Sequence, residues 1–168
     1  MPKYRVNLSS GSFRQLAKDI RDYRKSLQDK CEEFAYRLCE IGLQKAESIL
    51  IQHRDTGQTI GSLRIENNSE GKIVNMSVVV ESDAILFLEF GSGIKYSGTE
   101  NPKASELGYG PGTYPGKGHW DDPNGWWYPV GDDEYAHTYG IEAAMPMYNA
   151  SREMIENVGR IAKEVFGS

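Results

Sequence analysis

The sequence predicts an α+β fold, in which an antiparallel sheet is covered by a long N-terminal helix and a C-terminal helix and carries a long Gly/Pro/aromatic insert. Three observations predict it. Apolar residues recur at steps of three and four from Phe13 to Leu50 and again from Tyr148 to Phe166, the mark of helices with one buried face. Two short runs suited to strands, Ser62–Glu66 and Ile73–Val80, lie between them. Residues 94–139 then crowd Gly, Pro, Trp and Tyr together. At 168 residues the chain is long enough for one domain with its own core. Residues 1–168 therefore read as a single domain, with 1–11 as a flexible leader and 94–139 as an inserted loop and hairpin.

The first helix has a capping signature in Ser12, with Gln15 three residues on. Its apolar stripe runs Phe13, Leu16, Ile20, Tyr23, Leu27, Cys31, Phe34, Leu38 and Ile41, and charged residues fill the other face. One long helix, or two with a break near Ser26, ends near Gln52. A coiled coil competes with this reading over the first heptads. Asp55-Thr56-Gly57 closes the helix, with Gly57 free to turn left-handed. Ser62–Glu66 alternates polar and apolar as a half-buried strand does. Asn67–Gly71 is a turn, and the β-branched Ile73–Val80 is the returning strand.

Asp83–Gly93 (DAILFLEFGSG) is the most apolar short run, and beyond the leading Asp83 its one carboxylate is Glu89. Periodicity does not separate helix from strand over so few residues. A short buried helix is favoured, capped by Ser82 or Asp83 and ended by Gly91. In the insert, the glycines and prolines between Lys95 and Asn124 disfavour regular structure. Trp126–Tyr139 reads as a hairpin turning at Gly131–Asp133, with Trp126 and Tyr128 on one face and Trp127 on the other. Pro146 opens the last helix, which is expected to pack across the sheet on Tyr148, Met154, Ile155, Val158, Ile161, Ala162, Val165 and Phe166.

A net charge of −5 and a pI near 5.3 disfavour general binding to nucleic acid. No apolar run approaches the ~20 residues that span a bilayer, so no membrane partner is expected. The N-terminus lacks a signal-like apolar region. Cys31 and Cys39 lie eight residues apart on one helix, about 12 Å, too far for a bridge, and read as reduced thiols. None of the three histidines has metal-ligand spacing. His53 suits a helix C-terminus, and His119 beside Asp121 and Asp122 makes only a weak metal candidate. Glu89 would serve as a general acid or base if burial raised its pKa. The reading preferred here is that it bonds free N–H groups of a nearby turn or pairs with an Arg, because buried charges are normally paired. No catalytic constellation, cofactor or metal site is expected. The aromatic residues Tyr109, Tyr114, Trp120, Trp126, Trp127 and Tyr128 instead suggest an interface, since Trp and Tyr are enriched at binding hot spots.

Three segments, in order, resemble the minor tail-component family of long-tailed bacteriophages, also described as neck or tail-completion proteins. Asp55-Thr56-Gly57 followed by Ser62-Leu63 is similar to its "DTG…S" segment. Leu88-Glu89-Phe90-Gly91-Ser92-Gly93 is similar to its "EFGTG", with Ser92 in place of Thr. Pro146-Met147-Tyr148-Asn149-Ala150 resembles the "PF(M/L)xxA" opening of its last helix, with Met147 in place of Phe. The resemblance covers residues 13–166. It implies a small α+β virion protein without catalytic residues, acting at the head–tail junction or the tail end and residing in the virion after assembly in the host cytoplasm. It further implies a homo-oligomeric ring, formed alone or only on assembly, with other phage neck and tail proteins as partners. An acidic ring would let DNA pass without specific binding. Two rival readings stand beside it: a peptide- or glycan-binding module built on the Trp-rich insert, and a metal-dependent hydrolase using Glu89 with His119, Asp121 or Asp122.

Overall fold

The computed structural model describes residues 7, 9–53, 57–93, 101–109 and 122–167. The chain is α+β and is built along one helix, α1 (Ser10–Gln52). At 1.5 Å per residue α1 is about 64 Å long. It starts earlier than the capping signature suggests. Ser9, not Ser12, is the N-cap and accepts a hydrogen bond from the Ser12 amide at 3.2 Å. The Ser12 hydroxyl reaches back to the Asn7 amide at 3.0 Å. Several adjacent serines can cap, and the pair that satisfies two amides reciprocally sets the start. Residues 10 and 11 thus belong to the helix and not to a leader. No break occurs at Ser26, which is exposed and costs only a fraction of a kcal/mol in helix propensity.

After α1 comes one turn of helix, α2 (Gln58–Gly61), which periodicity did not reveal. Gly57 precedes it at φ 81°. Strands β1 (Arg64–Asn67) and β2 (Met76–Val79) pair antiparallel, Arg64 opposite Val79. Both are shorter than the sequence runs. Ser62 ends α2, and Ile73 joins only an isolated bridge to Glu70 around Gly71 and Lys72. The short helix in the apolar run is α3 (Ile85–Phe90), ended by Gly91 at φ 77°. Its expected side-chain cap is modified. Ser82 accepts from the Ala84 amide at 3.2 Å, and the N-cap position itself is Ala84. Strands β3 (Trp126–Gly131) and β4 (Glu134–Thr138) form the second hairpin, with its turn at Asp132-Asp133.

The final helix, α4 (Pro146–Phe166), lies along α1 and not across the sheet as expected. The two helices run antiparallel. Phe34 meets Phe166 with ring centroids 5.7 Å apart, Arg37 pairs with Glu164, and Lys45 faces Glu153 at 3.8 Å. Gly42 lets them close: a Cβ there would sit 2.5 Å from Met154 Sδ. Cys39, Ala46 and Leu50 of α1 and Ala150, Ile161 and Val165 of α4 make this core. Ile155, expected in it, is 67% exposed, and Val158 is also exposed. The buried stripe of α4 runs Pro146, Ala150, Ile161 and Val165, with Met154 half-buried in line with them, and Ile155 and Val158 fall to one side of it. The sheet is likewise two separate two-stranded sheets, with β1–β2 packed on α1, where Val78 and Met154 both approach Gly42. A second small core joins Phe90 and Ala104 with Leu86, Phe87 and Tyr109 around them. Both cysteines are free thiols, and burial pushes the Cys39 thiol up. Among the described residues no helix is long and apolar enough to cross a membrane.

Candidate functional site

Hydrogen bonds from several segments converge on the joint between α3 and the start of α4. Pro146 occupies the first turn of α4 and has no N–H to satisfy. It also bars the residue before it from the right-handed helical region, and Met145 stands at φ 53°, ψ 48°. Methionine has no side-chain oxygen to accept from the first amides of the helix, and Met145 makes no side-chain cap. Glu89 supplies the cap from another element. Its Oε2 accepts from the Met147 amide at 2.8 Å and its Oε1 from the Tyr148 amide at 2.9 Å. The next amide, Asn149, already bonds the Met145 carbonyl at 3.0 Å. Every free donor at this helix start is therefore matched, and the carboxylate faces the positive end of the helix dipole.

Glu89 is 7% exposed. Burial raises its pKa, and the bonds from Met147, Tyr148 and Asn101 pull it partly back. The Asn101 amide donates to Glu89 Oε1 at 2.9 Å. Asn101 was not singled out by the sequence reading. The available signal was Asn101-Pro102, a turn-forming pair, inside a segment that otherwise read as irregular loop. It starts a compact turn, 101–109, whose Ala104 is buried and whose Tyr109 stacks on Phe90 at 4.3 Å.

Backbone bonds complete the joint. The Ala144 and Met145 amides both donate to the Leu88 carbonyl, at 2.8 and 3.1 Å. The Ser92 amide donates to the Ile141 carbonyl at 2.8 Å, and the Ile141 amide to the Ser92 hydroxyl at 3.3 Å. Close approach here requires glycine twice. A Cβ on Gly140, at φ 97°, would lie 2.0 Å from the Ser92 carbonyl oxygen. A Cβ on Gly93, at φ 64°, would lie 2.6 Å from the Tyr139 carbonyl oxygen and 2.7 Å from the Trp126 ring. The structure thus brings together Glu89, Phe90, Gly91 and Gly93 with Pro146 and the turn leading to Ala150. Gly57 stands apart from this joint, on the wall of a neighbouring cleft that Leu88 and Ser92 also line. Asp55 and Thr56 lie outside the described residues.

The cleft has a volume of about 1040 Å³ and opens between the C-terminal end of α1, α3 and the β3–β4 hairpin. Leu50, His53, Phe87, Trp126 and Tyr128 are among the residues that line it. The aromatics read as an interface divide accordingly. Tyr109 folds back onto Phe90, and Trp126 is half-buried against Gly93. Tyr128 is 39% exposed on the cleft side, and Trp127 is 66% exposed on the opposite face. Tyr114 and Trp120 lie outside the described residues, as do His119 and Asp121. On the outer face of the hairpin, His137 meets Trp127 and Tyr139 edge-on, with centroids 5.0 and 4.9 Å apart. Among the described residues no three His, Cys, Asp or Glu side chains gather as metal ligands would.

Comparison with protein families, with curated proteins and with solved structures finds no match to this chain.

Proposed function

We propose that this chain is a structural phage or prophage protein that completes the tail or joins it to the head, as a subunit of a ring in the neck. The observation that carries this reading is the ordered resemblance of three segments, two of which meet in one joint through Glu89. Residues that resemble a shared motif need a shared task. The task visible here is architectural: a buried carboxylate clasps the last helix to α3, and glycines let the two backbones touch. Both oxygens of Glu89 hold amide groups, a use that suits a rigid building block better than proton transfer. The aromatic hairpin projects from this body, and its partners would be neighbouring subunits or other neck and tail proteins.

The test is genetic and structural. Particles released by the host that carries the gene should contain the chain. Deleting the gene should leave filled heads and separate tails in electron micrographs, and plasmid-borne chain should restore joined particles. Normal infectious particles from the deletion strain would overturn the proposal.

The cleft favours one other reading, a peptide- or glycan-binding module, because Trp126 and Tyr128 both face it. That reading expects a saturable change in tryptophan fluorescence when short peptides or oligosaccharides are added. A flat titration with both classes would dismiss it.

A further inference from the structure

We infer that the N-terminal half of α1 is an arm that docks onto the β3–β4 hairpin of a second copy, making a head-to-tail contact. The inference rests on the ring reading above and names the surface through which the ring would form.

Helix lengths create the arm. α4 has 21 residues, about 31 Å, and α1 has 43, about 64 Å. The antiparallel pair closes at Phe34 and Phe166, so α4 leaves the first half of α1 uncovered. Among the described residues, none buries the apolar stripe of that half. Phe13, Tyr23 and Leu27 are exposed, and Ile20 is 47% exposed. Large apolar side chains aligned on one face mark a site of association.

Charge identifies the partner. Residues 10–30 carry six Lys and Arg against three Asp, a net +3. Residues 31–168 carry eleven Lys and Arg against twenty-one Asp and Glu, a net −10. Within that acidic body no Lys or Arg occurs from residue 118 to residue 151, whereas six Asp and Glu do. Asp132, Asp133 and Glu134 sit exposed at the hairpin turn and make no ion pair among the described residues. Beside them stand Trp127, Val130, Tyr135 and Tyr139, all exposed. The arm is basic and apolar, and the hairpin is acidic and aromatic. A nucleic acid would take the cations and leave the stripe wet. The hairpin takes both.

The two surfaces cannot meet within one chain. The hairpin adjoins Leu50 and His53, at the far end of α1. Ile20 and Gln52 are 32 residues apart on an unbroken helix, about 48 Å. The contact is therefore between copies, and it joins two different patches. Such heterologous contacts close into rings, or grow as filaments where the rotation does not close.

The experiment is light scattering over a concentration series with the full chain and two variants. I20S/R24E alters the arm, and E134K/Y135S alters the hairpin. All four positions are exposed, and circular dichroism checks that helix content is kept. The wild type should form concentration-dependent oligomers. Each variant alone should associate at least about tenfold more weakly, the loss expected for a hot-spot side chain. Mixed together, the variants should give a 1:1 complex of twice the 18.9 kDa chain mass and nothing larger, because each supplies the patch the other lacks. A hairpin variant that still self-associates would show arm-to-arm pairing and overturn the inference. So would a wild type that stays monomeric at millimolar concentration, whether or not its arm binds DNA or anionic vesicles. A monomer refutes this contact alone, while unjoined heads and tails in the deletion strain decide the assembly reading separately.

Discussion

Glu89 shows how much one carboxylate can be asked to do. It ends two unpaired amides of α4 and orients Asn101, and it does so with almost no solvent around it. Changing it to Gln keeps the shape but turns an N–H toward one of those amides. We expect E89Q to lose about 1–3 kcal/mol of stability, the cost of an unsatisfied buried donor, measured by urea unfolding. The pH dependence has a definite sign. Burial raises the folded-state pKa of Glu89, so its contribution is full below the ordinary carboxylate range and declines as pH climbs through the raised value. The stability gap between wild type and E89Q should therefore shrink from acid to neutral pH. A gap that widens would mean the three hydrogen bonds outweigh burial. Glu81 and Glu164 behave oppositely. Bonds from Arg64, and from Arg37 and Arg160, hold them below the usual range, so their contributions are lost as pH falls through their lowered values. Gly140 gives the second residue-scale test. Gly140→Ala combines a positive φ with a Cβ 2.0 Å from a carbonyl oxygen, and should cost more than about 1 kcal/mol in the same assay. Glu89 was legible in the sequence because it is a lone charge in an apolar run. Its partners were not, because a backbone amide leaves no mark in composition and Asn101 sits in a stretch where Asn is ordinary.

Within elements, α1 is two helices in one: an inner half that packs and an outer half that waits. Ile161→Ala, in the face that α4 buries against α1, should cost about 2–5 kcal/mol. Ile20→Ser, on the uncovered half, should change monomer stability by no more than about 0.5 kcal/mol. Thermal unfolding at low protein concentration checks both, and similar losses would show that the outer half is packed. Periodicity found α1 and α4 from their apolar steps, since a 3.6-residue repeat is a property of one segment. It did not find which face of α4 is buried. Ile155 and Val158 are as apolar as Ile161, and only the crossing on α1 at Gly42 and Met154 separates them. The expectation that α4 crosses the sheet failed for the same reason. A two-stranded sheet offers little apolar area, and a helix of 43 residues offers more.

Across the molecule, charge is divided between the N-terminal half of α1 and the rest of the chain. The arm carries net +3 and the rest beyond residue 30 carries net −10. Total charge, read alone, conceals this, and the pI near 5.3 describes neither end. In the head-to-tail contact inferred above, the two oppositely charged ends face each other. The attraction has a salt signature. Raising ionic strength from about 0.1 M to about 1 M shortens the screening length from about 10 Å to about 3 Å. The charge contribution from Arg24, Lys25 and their neighbours to the hairpin acids should fade over that range, while burial of Ile20 against Tyr135 should persist. Oligomer mass at fixed protein concentration should therefore fall with salt without collapsing to monomer. I20S/R24E should be insensitive to salt throughout. If wild-type association instead strengthens steadily with salt, apolar burial alone drives it, and the hairpin acids have no part in choosing the partner.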